Sequence, residues 1–372
     1  MQLDNFEKSE TESSKTQVIT VERSVSSISA EVAPDLRLRD ILKTLPKEVF
    51  IQNRVKAWSA SAINVLLVVL GYVGLAIAPW FLIPFLWVFT GTALTGFFVL
   101  GHDCGHRSFA KRRWVNDLVG HIMFLPLLYP FHSWRIQHNH HHKHTNKLDV
   151  DTAWNPLTPE NYEKQPWIIR LGYLGVRWRF WWLGSIAHWF SLHFDWSKFP
   201  GKQREQVRFS VLVVAIAGTL GLPTLIATLG ISGFVKFWLM PWLVYHFWMS
   251  TFTLVHHTTA EVPFKTPDQW HEATAQLAGT IHCDYPGWVE YLCHDINVHV
   301  PHHITTAIPF YNLRQAYQSI KEQWGEYCAP ERQFSWQLMQ EITDDCHLYV
   351  PSRNAYQSYG DYQAELKTQT GS

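Results

Sequence analysis

The sequence predicts an all-α integral-membrane protein: four membrane-spanning helices in two hairpins, with a helical cap on one side carrying a histidine-lined metal site. Three observations predict this. Residues 57–101 contain no Asp, Glu, Lys or Arg, and 209–235 and 237–260 are interrupted only by Lys236. The chain has 21 histidines, many of them in short clusters. Two clusters lie between the paired apolar runs and the third follows the second pair.

The elements follow in order. Residues 1–35 are rich in Ser, Thr and Glu and read as a disordered tail. The main domain is expected over 36–350. Its opening stretch, 36–56, alternates basic and apolar residues and reads as an amphipathic segment at a membrane surface. One crossing takes roughly 20 residues, so the 57–101 run is two helices with a turn near Ala78-Pro79-Trp80. The spans are expected at about 58–77, 82–101, 209–229 and 237–257. Between the pairs, 118–131 and 167–190 are apolar but interrupted by Pro126 or by arginines, and read as interfacial or re-entrant helices. Residues 309 onward read as a helical cap, with 351–372 a loose C-terminal tail.

Basic residues set the orientation. Arg37, Arg39, Lys43, Lys47, Arg54 and Lys56 precede the first span, and Arg107, Lys111, Arg112 and Arg113 follow the second. The expected turns between paired spans carry only Lys236. The positive-inside rule then puts both termini, the middle segment and every histidine cluster on the cytoplasmic side. The balance of 31 basic and 31 acidic residues implies no polyelectrolyte partner and argues against nucleic-acid binding. Five cysteines without a CxxC pair speak against a disulfide framework or a thiolate zinc site.

Three clusters carry the chemistry. His102 and His106, in HDCGH, stand at i and i+4 and share a helix face. Cys104 lies on the far side and is a poor ligand. His138, His141 and His142, in HNHHH, stand at i, i+3 and i+4, and His299, His302 and His303, in HVPHH, repeat that spacing. Pro301 fits only a first helical turn, so the third cluster's helix starts near His299. With 21 histidines in 372 positions, chance gives the His-x-x-His-His pattern about 0.07 times per chain; it occurs twice. Eight imidazoles exceed one tetrahedral site and suit two metals, among which iron, copper, zinc and nickel all accept imidazole. Asp103, Asp149, Asp151, Asp284, Glu290 and Asp295 all lie near the clusters in sequence; Asp103 and Asp295 are the preferred carboxylates for orienting ligands, with Asn297 and His256 as further supporting groups. His257, at the end of the fourth span, is the candidate ninth ligand.

HDCGH, HNHHH and HVPHH, in this order between paired spans, resemble the histidine boxes of membrane fatty acid desaturases. WRIQHNHHHKHTN (134–146), CHDINVHVPHH (293–303), IPFYNLRQAYQSIKEQWGEY (308–327) and TLPKEVF (44–50) are similar to segments of the cyanobacterial acyl-lipid Δ12 (omega-6) desaturases. The resemblance covers roughly residues 36–350. It implies a non-haem centre of two iron ions held by the eight box histidines. It also implies O₂ as oxidant, reduced ferredoxin as electron donor, and acyl chains of membrane glycerolipids as substrate. The implied location is the cyanobacterial thylakoid and plasma membrane. In plant relatives a histidine follows the fourth span in a QHTHP-like context; the aligned His256-His257-Thr258 makes His257 the counterpart. Asn297-Val298 before the third box and Ile304-Thr305 after it depart from the omega-3 pattern and favour Δ12. A sister di-iron hydroxylase or omega-3 desaturase is the alternative, and a histidine-rich metal transporter the remote one. Transport sites sit on polar residues within spans, whereas these spans are nearly charge-free.

Overall fold

The computed structural model describes residues 35–370; the tail expected over 1–35 lies outside the described residues apart from Asp35. Helix Arg54–Ile77 begins where Asn53 Oδ1 accepts the Lys56 N–H at 3.1 Å. It ends at Ala78-Pro79, because proline cannot continue the helical ladder. A 3₁₀ turn, Trp80–Leu82, leads into helix Ile83–His106, with Pro84 in its first turn. At about 1.5 Å per residue, 24 residues rise about 36 Å, enough for a hydrocarbon core of about 30 Å. The first helix leaves Leu66, Val69, Leu70, Val73 and Ile77 exposed, an apolar surface suited to lipid. Its inner face meets the second helix closely. A Cβ at Gly71 would fall 2.4 Å from Thr90 Oγ1, and Asn64 Nδ2 donates to the Ala93 carbonyl at 2.9 Å.

Among the described residues, three stretches are long and apolar enough to cross a membrane: Arg54–Ile77, Trp80–His106 and Gly201–His257. The third is 57 residues long and departs from helical geometry at Gly230 (φ 69°), a backbone conformation glycine adopts without Cβ penalty. Gly218 lies within 4 Å, as a built Cβ, of Leu128, and Trp242 Nε1 donates to the Leu127 carbonyl at 3.0 Å. A straight helix would separate residues 218 and 242 by about 36 Å, so the chain folds back between them. Gly230 is the first residue of the 230–236 gap left between the last two expected spans. Residues Val235–Leu239 form a π-helical turn, with the Lys236 carbonyl accepting from Trp87 Nε1 at 3.0 Å.

The middle segment breaks into short helices. Arg113–Phe124 is followed by a 3₁₀ turn, left-handed Leu128 (φ 52°), and the box helix Phe131–Lys143. The 167–190 patch divides at Trp178 into Trp167–Arg177 and Gly184–Leu192. The 36–56 segment is not free at a surface: Ile41, Leu45 and Val49 are buried, and Trp324 Nε1 donates to Thr44 Oγ1 at 3.0 Å. Its buried apolar residues pack against helix Leu313–Trp324, while Ile51 and Val55 stay exposed.

Two expectations need correction. The protein is not purely helical. Cys283–Asp284 pairs in parallel with Arg332–Gln333, and Leu348–Val350 pairs antiparallel with Ala355–Gln357, with Leu348 opposite Gln357. These strands of two or three residues are too short to show an alternating pattern. Nor is 351–370 loose. It forms the second strand of that hairpin and helix Tyr359–Thr370. Buried Tyr362 packs with Tyr162 and Leu348, and its hydroxyl bonds Glu163.

Candidate metal centre

Helix geometry brings the boxes together. The last turn of Ile83–His106 carries His102 and His106, Phe131–Lys143 carries His138, His141 and His142, and the short helix His299–Ile304 carries His299, His302 and His303. That third helix starts at His299 with Pro301 in its first turn, where a missing N–H costs nothing. The last residue of Met240–His257 supplies His257.

The nine rings fall into two groups. His102, His106, His138, His142 and His302 offer ligand atoms all within 4.8 Å of one another, and so do His141, His257 and His303. In the first group, Nε2–Nε2 separations of 3.0 Å join His102 to His138, His138 to His142 and His142 to His302. In the second, His299 Nε2 lies 3.1 Å from Nε2 of both His257 and His303. The groups adjoin: His142 and His303 stack with centroids 4.2 Å apart.

Burial depresses the pKa of His138, His142, His299, His302 and His303 well below the ordinary histidine value, and neighbouring rings add to the effect. These rings are neutral at physiological pH, so converging nitrogens present lone pairs. Both nitrogens of His106 and Nε2 of His141 are buried without a hydrogen-bond partner. Buried polar atoms are rarely left so, and a shared cation would satisfy them. The donor set is all imidazole, which suits iron, copper, zinc or nickel and offers no thiolate for a cysteine-type zinc site. Cys104 is buried in the apolar core on the helix's other side.

The supporting groups differ from those expected. Asp151 is the carboxylate that orients a ring: its Oδ1 lies 2.6 Å from His141 Nδ1, and its Oδ2 accepts the Asn146 N–H at 2.7 Å. Thr145 Oγ1 reaches His303 Nδ1 at 3.1 Å. Asp103 Oδ2 accepts the Phe310 N–H at 2.9 Å, tying the first box to the cap, while its Oδ1 stands 3.6 Å from His102 Nδ1. Asp295 touches no ligand ring; it holds Arg314 at 2.6 Å. Asn297 donates to the Cys283 carbonyl and to Glu290 Oε1, bracing a loop instead of a ring. His256 stacks on His299 at 4.4 Å. Sequence separation from the third box made Asp295 attractive, yet its left-handed backbone (φ 55°) belongs to the turn that precedes the box. Asp151 sits nine residues past His142 on a turn, a distance that no helical spacing rule reaches.

A cavity of about 330 Å³ opens beside the rings. Phe98, Tyr129, Met249 and Phe252 line it, together with His102, His138, His141, His257 and His299. Phe98 comes from helix Ile83–His106, Met249 and Phe252 from Met240–His257, and Tyr129 from the 118–131 patch. Trp154, Tyr173, Arg177 and His188 add a wall from the middle segment that no sequence pattern marked.

The Fatty acid desaturase family model matches residues 78–335. A protein of Anabaena variabilis named sn-1 oleoyl-lipid 12-desaturase is 64% identical over 332 residues, covering 89% of this chain and 95% of that protein. One of the same name from Synechocystis is 57% identical, over 88% of this chain and 92% of that protein. The chloroplastic omega-6 fatty acid desaturase of Spinacia oleracea is 49% identical, over 88% of this chain and 73% of that protein. With the family matched across most of the chain and buried histidines converging beside an apolar cavity, this chain belongs to the fatty acid desaturase family.

Proposed function

We propose that this chain is an acyl-lipid desaturase that introduces a Δ12 double bond into oleoyl chains of membrane glycerolipids, giving linoleoyl chains. The observation that carries the reading is the meeting of nine imidazoles, seven of them buried and His106 and His138 partly so, with an apolar cavity. The 57–64% identity to cyanobacterial proteins named oleoyl-lipid 12-desaturases supports the position.

His102, His106, His138, His142 and His302 would hold one iron ion, and His141, His257, His299 and His303 a second. Bound iron supplies the oxidising power, with O₂, that an unactivated acyl C–H bond demands. The reaction balances as loss of two hydrogens from the chain and reduction of O₂ to two waters, with two electrons and two protons entering. The protein's own part is placement and exclusion. Trp134 stacks on His138 at 4.5 Å and fixes its plane, and Asp151 fixes His141. Phe98, Tyr129, Met249 and Phe252 give the acyl chain a dry channel, which limits side reactions with water. The carbons to be oxidised lie where the cavity meets the rings.

The two arms of Gly201–His257 on either side of Gly230 are read as the third and fourth spans. Basic residues at the metal end of the helices argue for a cytoplasm-facing site in the thylakoid and plasma membranes. Arg107, Lys111, Arg112 and Arg113 lie there and would attract reduced ferredoxin, the proposed electron donor. The test is expression in a host whose lipids hold oleoyl but no linoleoyl chains. New 18:2 Δ9,12 chains are the expected product. A hydroxylated chain without diene, or no 18:2 despite good expression and reductant supply, refutes the proposal.

A further inference from the structure

One side chain of the cavity wall is held in an unusual number of ways. Trp154 has a left-handed backbone (φ 48°), which bulky residues rarely adopt. Its indole N–H donates to Thr253 Oγ1 at 2.8 Å. Its carbonyl accepts from Arg177, a buried guanidinium that also donates to the Cys346 carbonyl at 3.1 Å. Its ring occupies the space that a side chain at residue 184 would fill: a Cβ at Gly184 would fall 2.4 Å from its Cη2. Left-handed geometry in a large residue persists only where the surroundings over-determine it, and here three neighbours, Thr253, Arg177 and Gly184, do so.

The same turn touches the metal centre. Asp151 Oδ1 accepts the Ala153 N–H at 3.0 Å while holding His141. Trp154 follows Ala153 directly, so one carboxylate sets both a ligand ring and the start of the wall. Trp154, Gly184 and Thr253 all line the cavity. An apolar chain makes no directional bonds, so the distance from a fixed wall to the rings is what can select its length.

We propose that Trp154 is a specificity-determining residue, a rigid wall that limits which acyl chains seat with the correct carbons at the histidines. This rests on the acyl-desaturase reading above. Trp154→Leu removes most of the wall, Trp154→Phe shortens it, Thr253→Val frees the indole, and Gly184→Ala forces the ring off its seat into the cavity.

The experiment expresses each full-length variant in a host whose lipids contain both 18:1 Δ9 and 20:1 Δ11 chains. It measures the ratio of the two dienes and their double-bond positions by gas chromatography and mass spectrometry. Trp154→Leu is expected to raise the 20-carbon to 18-carbon diene ratio about tenfold, the scale of discrimination that one or two methylenes provide. Trp154→Phe and Thr253→Val should raise it less, and Gly184→Ala should lower it. Simple destabilisation lowers both dienes together and leaves the ratio unchanged. Should Trp154→Leu not accumulate, Trp154→Phe and Gly184→Ala carry the test. Unchanged ratios in variants that still make 18:2 overturn the role of Trp154 alone. No diene from the unaltered enzyme overturns the parent reading and this inference with it.

Discussion

The two histidine groups use the same ring chemistry and are held in different ways. The first group is held by packing. Trp134 lies 5.3 Å from the His102 ring and stacks on His138, and Phe98 and Phe124 pack behind Trp134. The second is held by polar bonds: Asp151 on His141 and Thr145 on His303, with Thr145 also donating to the His141 carbonyl at 3.1 Å. Packing fixes where a ring lies but leaves its nitrogens uncommitted; a carboxylate also selects which nitrogen carries the proton. The first group therefore depends on helix placement, and the second on one acidic side chain.

The largest expected effect breaks the first group at its hub. His142 Nε2 contacts both His138 and His302, and its ring stacks on His303. His142→Ala should abolish diene formation while the protein still inserts in the membrane, with iron per chain well below that of the unaltered enzyme. His302→Ala should behave alike. Full diene production by either would dissolve the proposed first site.

Next comes the support of the second group. Removing an outer partner of a metal-bound histidine costs roughly 10–100-fold in metal affinity or activity. Asp151→Ala should fall in that range, with iron lost from one site before the other, so that limited chelation leaves about one iron per chain. Asp151→Asn, which keeps an acceptor oxygen, should retain more. Equal loss from both sites would erase the contrast between the groups.

Acid offers a milder probe. Burial lowers the pKa of His188, beside the cavity, and of His294, below the cap, to about 4 each. A histidine whose folded pKa is depressed is protonated first in the unfolded chain. Its contribution is intact above the unfolded value near 6.5 and is lost as pH falls from there toward 4. Each such group removes about 1 kcal/mol per pH unit in that window. The unfolding midpoint in detergent should fall between pH 7 and pH 5 and stay level between pH 7 and pH 8. A midpoint that rises on acidification would contradict the buried, neutral state.

The sequence was informative where structure is periodic. Charge-free runs marked the long helices, and i, i+3, i+4 spacing marked faces that converge, because helical geometry repeats within a few residues. It was silent where contacts depend on turns. Asp151, Thr145 and Trp154 lie in a segment with left-handed residues at Asn146, Asp149 and Trp154, and no local pattern says which side chain such a path turns inward. The cavity wall of Tyr173, Arg177 and His188 was hidden likewise, inside a patch whose composition announced only an interface. Residues 351–370 looked loose because Tyr362 finds its partners, Tyr162 and Leu348, far away in sequence.

The smallest expected effect separates proximity in sequence from proximity in space. Asp295 stands four residues before His299 but bonds Arg314, whose side chain is half exposed. Exposed ion pairs contribute about 0–1 kcal/mol, and Glu290 also holds Arg314, at 2.7 Å. Asp295→Asn should thus leave iron content and 18:2 yield unchanged and lower the unfolding midpoint slightly. Asp151 differs because its carboxylate is buried on the ring it orients, where no water can replace it. If Asp295→Asn instead sheds iron as Asp151→Ala does, the turn before the third box supports His299 directly, and the second group has two acidic supports in place of one.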